Sequence, residues 1–130
     1  MKKNRRHLKG EEGFTLIEII AVLIVLGVLA AVAVPRYMSV VDDAKNSAAM
    51  GAVAEGKARV NQWAASYILQ NNGDVPTIPN ASDATYGTDA GDFTLTYGDA
   101  DPVLITATGK TGTPADGGIA TGTVALPTTN

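Results

Sequence analysis

The run from Phe14 to Val34 constrains this chain more than any other stretch. It is 21 residues long, and only Thr15 and Glu18 in it are clearly polar. As a helix rising about 1.5 Å per residue it extends roughly 31 Å, enough to cross the hydrocarbon core of a bilayer. A chain of 130 residues leaves room for one small domain beside such a segment. Glu18 is the anomaly within it. Insertion scales put an acidic residue at a helix centre at roughly 2.5–3.5 kcal/mol, less near the end, so a charge there marks a task.

Charge divides sharply around the start of that run. Residues 1–13 hold Lys2, Lys3, Arg5, Arg6 and Lys9 against Glu11 and Glu12, a net of +3. The remaining 117 residues hold five basic and eleven acidic side chains, a net of −6. A basic segment ahead of a span stays on the cytoplasmic side, which sends the acidic remainder across the membrane. No basic face is left to hold phosphates, so no specific nucleic acid is expected as a partner. Cysteine is absent, and the only histidine is His7. Without residues 1–13 the chain has no His and no Cys, the commonest general base, metal ligand and strong nucleophile.

Two plain readings compete for the N-terminal segment. A basic start, an apolar stretch and Ala31-Val32-Ala33 also fit an ordinary secretory signal with an A-x-A cut. That cut would make Val34 the first residue of a released module. Against it, Glu11 and Glu12 directly precede the apolar run, Glu18 lies inside it, and the run exceeds a usual signal core. A simple one-span anchor without assembly satisfies the length criterion equally.

Beyond the span the composition stays helical. Pro35 lacks an N–H and clashes with the turn before it, so a kink or local loosening is expected there, with Gly27 as a second weak point. From Arg36 to Asn72 there is no proline, and Ala49, Val53, Gly56, Val60, Ala64, Tyr67 and Ile68 recur at three- and four-residue spacing. This is an amphipathic stripe suited to a small sheet. Gly51 and Gly56 each lower helix stability by up to about 1 kcal/mol, as tolerated weakness or as points of close approach. Asn72-Gly73 reads as the helix stop. A helix from Phe14 to Gln70 would be about 85 Å long, more than one small domain can bury.

Residues 73–91 read as a long surface loop. The period then changes to two. Residues 92–97, 103–108 and 119–126 read as three strands separated by Gly-rich turns, with Phe93, Leu95 and Tyr97 on one face and Gly122 marking a bulge or an edge. The expected fold is α+β: a long N-terminal helix, transmembrane in its first half and amphipathic in its second, on a small three-stranded antiparallel sheet. The domain boundaries follow as 1–13, a basic leader; 14–34, the transmembrane helix; 35–72, its amphipathic continuation; and 73–130, loop and sheet.

The string Gly13-Phe14-Thr15-Leu16-Ile17-Glu18, after a Lys/Arg-rich leader and before the apolar run, resembles the class III signal of type IV prepilins and type II secretion pseudopilins. The resemblance covers residues 9–40; beyond that it is architectural, the ladle shape of type IV pilins. It implies that a membrane prepilin peptidase cuts between Gly13 and Phe14 and N-methylates Phe14. It implies that Glu18, with Thr15, serves assembly, the Glu18 carboxylate pairing with the Phe14 amine of the next subunit. The rival roles for Glu18 are snorkelling to the interface and pairing with its own chain's amine. Pro35 falls where the family places its helix-loosening proline, with Gly27 read from the residues as a second loosening point. The implied function is a structural subunit of a type IV pilus, a helical homopolymer, with an assembly ATPase and a platform membrane protein as partners. The implied path runs from the inner membrane to an extracellular pilus. A pseudopilin of a type II secretion system, ending in the periplasm, is the close alternative.

No catalytic constellation is present, and the expectation is a non-enzyme without a cofactor. Asp89 and Asp92 flank Gly91, and Asp99 and Asp101 lie close together. Paired carboxylates in Gly-rich turns serve local backbone hydrogen bonds or, less often, calcium. Major pseudopilins bind calcium in a comparable region, but their D-P-W-G-N-P-like string is absent here.

Overall fold

The computed structural model describes residues 13–76 and 83–128. The basic leader expected over 1–13 therefore lies, apart from Gly13, outside the described residues. The chain divides into two compact units, one reaching to Tyr37 and one beginning at Met38.

From Leu16 onward the described part of the first unit is helix. Helix α1 is assigned over Leu16–Gln70, and Pro35 lies inside it. Its first part is apolar on all sides, and every residue from Gly13 to Val40 is exposed. The most apolar 18-residue window has a mean hydropathy of 3.0, with none of it buried within the chain.

The second unit pairs the rest of α1 with a sheet. The buried helix positions are Ala49, Ala52, Val53, Gly56, Val60 and Ala64, the predicted stripe with Ala52 added. Tyr67 and Ile68, expected on the same stripe, are half-buried. The helix ends where Asn72-Gly73 predicts. Asn72 takes a left-handed φ of 54°, and the Gly73 N–H reaches back to the Ile68 carbonyl at 2.9 Å. That six-to-one bond closes the helix in a Schellman pattern, with asparagine in the usual glycine position.

The sheet has four antiparallel strands in the order β1-β2-β3-β4, where three were expected. They are β1 (Asp89–Ala90), β2 (Phe93–Tyr97), β3 (Val103–Gly109) and β4 (Ile119–Val124). The additional strand is β1, inside the stretch read as a loop. It spans two residues, pairs Ala90 with Phe93, and turns through Gly91 and Asp92. Two residues carry no alternation, so no period-two signal could announce it. The turn does need glycine, since Gly91 has a φ of +66°. One helical turn, α2 (Asp83–Tyr86), lies in the same stretch. The last strand ends at Val124, not at the expected residue 126.

The alternation in β2 is as read, and β3 alternates as well. Phe93, Leu95, Tyr97, Val103, Ile105 and Ala107 face the helix and are buried. Leu95, Ile105, Val60 and Val103 are the largest fully buried side chains, each contributing about 1.5–3 kcal/mol of transfer free energy. An aromatic file closes one end of the core. Trp63 stacks tilted on Tyr67 at 5.7 Å and edge-on to Tyr86 at 5.4 Å, and Tyr86 lies 4.8 Å from Tyr97.

Glycine sets how closely helix and sheet approach. A Cβ on Gly56 would lie 2.8 Å from Ile105 Cγ2 and 3.4 Å from Leu95 Cδ1. One on Gly122 would lie 2.7 Å from Val53 Cγ1, which explains glycine in an edge strand that crosses the helix. Gly51 is different: a Cβ there meets nothing within 4 Å. The two helix glycines should therefore respond oppositely. In thermal unfolding of the detergent-purified chain, Gly56→Leu should destabilise by about 1–3 kcal/mol through overpacking. Gly51→Ala should stabilise by up to about 1 kcal/mol. Shifts of the same sign would contradict this packing.

Candidate functional site: the start of the apolar helix

The helix begins with a reciprocal cap. Thr15 is the last non-helical residue, and its carbonyl accepts the first helical bond from the Ile19 N–H at 3.3 Å. The Thr15 N–H donates to Glu18 Oε2 at 2.7 Å, and the Thr15 hydroxyl donates to the same oxygen at 2.8 Å. In return the Glu18 N–H points at Thr15 Oγ1, at 3.4 Å. Thr-x-x-Glu with these bonds is a capping box, in which residues that would leave unpaired amides at a helix start satisfy one another. Thr15 and Glu18 were singled out in the sequence, but for assembly. The spacing that signals a cap was legible there as well.

The other N-terminal positions are placed plainly. Gly13 and Phe14 precede the helix, and Phe14 is 84% exposed. Gly27 has open space around it, and Pro35 continues the helix. The apolar side chains between them have no cover among the described residues; Ile17 is 70% exposed and Ile24 63%. Monomeric soluble proteins rarely expose contiguous apolar patches of more than a few hundred Å², so a surface like this is made to be covered. Arg36 and a 72%-exposed Tyr37 follow the run, a pairing suited to a bilayer interface.

The four aspartates do not converge. Asp89 and Asp92 lie at one end of β2, Asp99 and Asp101 beyond its other end. Among the described residues no three His, Cys, Asp or Glu side chains group as a metal site. Asp101 accepts from the Leu126 N–H at 3.1 Å and holds the chain after β4. Asp89 accepts from the Gly91 N–H at 3.0 Å and pairs with Lys110 Nζ at 3.2 Å.

Around Asp89 the chain's own cations meet the backbone oxygens. Lys110 Nζ donates to the Gly91 carbonyl at 2.6 Å. Arg59 donates to the Gly87 carbonyl at 2.8 Å and to the Asp89 carbonyl at 2.7 Å, and pairs with Glu55 one turn away. Further along, Lys45 donates to the Asp116 carbonyl at 2.6 Å, and Asn46 accepts from the Ile119 N–H at 3.2 Å. These contacts tie the loops to α1. They were not legible in the sequence, because Arg59 and Asp89 are 30 residues apart and no local pattern links them.

Comparison with known proteins agrees with the motif. A family profile described as the prokaryotic N-terminal methylation motif matches residues 8–34. Fimbrial protein Q and the type IV major alpha-pilin, both of Moraxella bovis, are each 35% identical over 54 residues, 42% of this chain and 34% of theirs. Type II secretion system core protein G of Pseudomonas aeruginosa is 54% identical over 41 residues, 32% of this chain and 29% of its own. The chain thus spans about a third of the length of the curated relatives it matches. No solved structure matches it.

The clamp predicts a titration. The Lys110 ammonium, then the Gly91 N–H, hold the Asp89 carboxyl below its ordinary value. A depressed carboxyl stabilises the fold above its unfolded pKa of about 3.9, and this is lost as pH falls through the lower folded value. NMR titration should find Asp89 below that reference and moving up toward it in Lys110→Met. No movement would mean that the ammonium is not the cause. Over residues 8–34 the chain carries the prokaryotic N-terminal methylation motif, and its N-terminal part is similar to type IV pilins and to a type II secretion core protein.

Proposed function

We propose that this protein is a structural subunit of a type IV pilus, made as a membrane-anchored precursor and polymerised through residues 14–34. The observation that carries the proposal is the uncovered apolar helix directly behind a methylation motif. Lipid covers that surface before assembly, and copies of the same surface cover it afterwards. A prepilin peptidase cuts between Gly13 and Phe14 and methylates Phe14. The N-terminal side stays cytoplasmic, in line with its charge, and residues beyond the span are exported. An assembly ATPase and a platform membrane protein drive extrusion. The role is structural, and Lys110 and Arg59 facing the oxygens around Asp89 argue against calcium there.

A periplasmic pseudopilus of a type II secretion system is the second reading. The higher identity to core protein G, over a shorter stretch, favours it. Surface fibres sheared from cells support the pilus; subunit retained in the periplasm supports the pseudopilus.

Glu18 supplies register in this scheme. A carboxylate entering a dry helix bundle must meet a positive charge, since an unpaired one there is heavily penalised. The Phe14 amine, with a reference pKa of about 7.7–8.0, is largely protonated near neutral pH. Phe14 precedes Glu18 by four residues, so a neighbour shifted by about one turn can bring the two level. Mass spectrometry of the mature protein should show an N-methylated Phe14 terminus, and Val34 as first residue would refute the proposal. Glu18→Gln should leave insertion and cutting intact while sheared filaments disappear. Normal filament yield and register in that variant would reduce Glu18 to a tolerated interfacial carboxylate.

Gly27 and Pro35 are the positions where the helix loosens once it leaves lipid, since proline removes one backbone bond and glycine carries the weakest helix preference. A filament reconstruction should show broken helical hydrogen bonds between them. Unbroken bonding there would rule this out.

A further inference from the structure

The capping box lies one residue beyond the proposed cut, and its geometry does more than begin a helix. We infer that Thr15 and Glu18 position the Gly13–Phe14 peptide bond for hydrolysis by ending the helix at Leu16 and keeping the bond outside it. The inference rests on the processing reading above. Cutting adds water across that bond, hydroxyl to the Gly13 carbonyl carbon and proton to the Phe14 nitrogen. The carbonyl must therefore be open to attack. Inside a helix, the neighbouring backbone would be wound and bonded four residues on, and would have to unwind first.

Three observations support this. Gly13, Phe14 and Thr15 are non-helical and exposed. A Cβ built on Gly13 meets nothing within 4 Å. Among the described residues, both side-chain bonds of the Glu18 carboxylate go to Thr15.

The apolar surroundings make the cap necessary. An uncapped helix start leaves amides without partners, and at the edge of a bilayer those amides are costly. The ready remedy is to wind backwards until the amides reach water. Glu11 and Glu12 are good helix formers and would not oppose this. Winding back draws Phe14 and Gly13 into the helix. The Thr15 N–H and hydroxyl, both satisfied by Glu18, stop it before that point. Thr15 and Glu18 are thus positioning residues for a cut made by another protein.

A capping box accepts Gln as well as Glu at its third position, whereas a register charge does not. The two roles of Glu18 can therefore be separated. The test uses the full-length precursor in membranes containing the prepilin peptidase. It follows the mature fraction over time against the uncut precursor in the same membranes. Thr15→Val keeps the shape and removes the hydroxyl; cutting should slow on the order of fivefold, the typical worth of an N-cap. Thr15→Ser and Thr15→Asn, both good caps, should restore it. Glu18→Leu should slow cutting, and Glu18→Gln should restore it while filaments stay absent. In parallel, the Cα chemical shift of Phe14 in the micelle-bound precursor should move toward helical values in Thr15→Val.

Cutting of Thr15→Val at the wild-type rate, or an unmoved Phe14 shift, overturns the inference. Thr15→Asn as slow as Thr15→Val also overturns it, since the peptidase would then be reading threonine itself. A wild-type chain not cut after Gly13 overturns the processing reading, and this inference with it.

Discussion

An apolar helix surface without cover in its own chain is the constraint on which the rest depends. Residues 14–34 cannot be left in water, and nothing in the described structure shields them. A bilayer or a packed bundle of apolar helices can cover them. Both environments are dry, so backbone and side-chain polar groups within the segment need partners of their own. That requirement explains why its two polar residues, Thr15 and Glu18, face each other at its start.

The second unit solves a different problem, stability with little material. Its core is a single layer of side chains between one helix face and one sheet, so burial depends on close approach. Gly56 against Ile105 and Gly122 against Val53 provide it. A sheet of four short strands has two edges to secure. At one edge β1 is held by Arg59 through the Asp89 carbonyl; at the other, β4 is held by Asn46 through the Ile119 N–H. Both tethers come from α1, which thus acts as core, clamp and carrier of the assembly segment.

Glu18 joins the two problems. Before assembly its carboxylate completes a helix cap, where hydrogen bonding to Thr15 offsets its desolvation. Under the proposed function it would also meet a neighbour's amine in the filament. A carboxylate has four lone-pair directions, so the two uses are compatible in one residue. Glutamine could meet the first and not the second, a physical reason for a charge in a position where insertion penalises it.

Much of this was legible from local pattern. The apolar run, the Ala49–Ala64 stripe, the stop at Asn72-Gly73 and the alternation of β2 and β3 all follow from periodicity and turn chemistry, which depend on neighbours in sequence. The methylation motif is equally local. What escaped was short or long-range. A two-residue strand has no period, and the capping box hid behind a more conspicuous role for the same residues. The aspartates illustrate the limit best. Spacing brought Asp89 and Asp92 near one another, but only the folded chain revealed that Lys110 and Arg59, 21 and 30 residues from Asp89, face the oxygens there. Sequence by itself determined where the helix runs and which face packs, because hydrophobicity and backbone preference act residue by residue. Tertiary structure alone decided which glycines are obligatory and which cations hold the loops, because both depend on atoms that only the fold brings together.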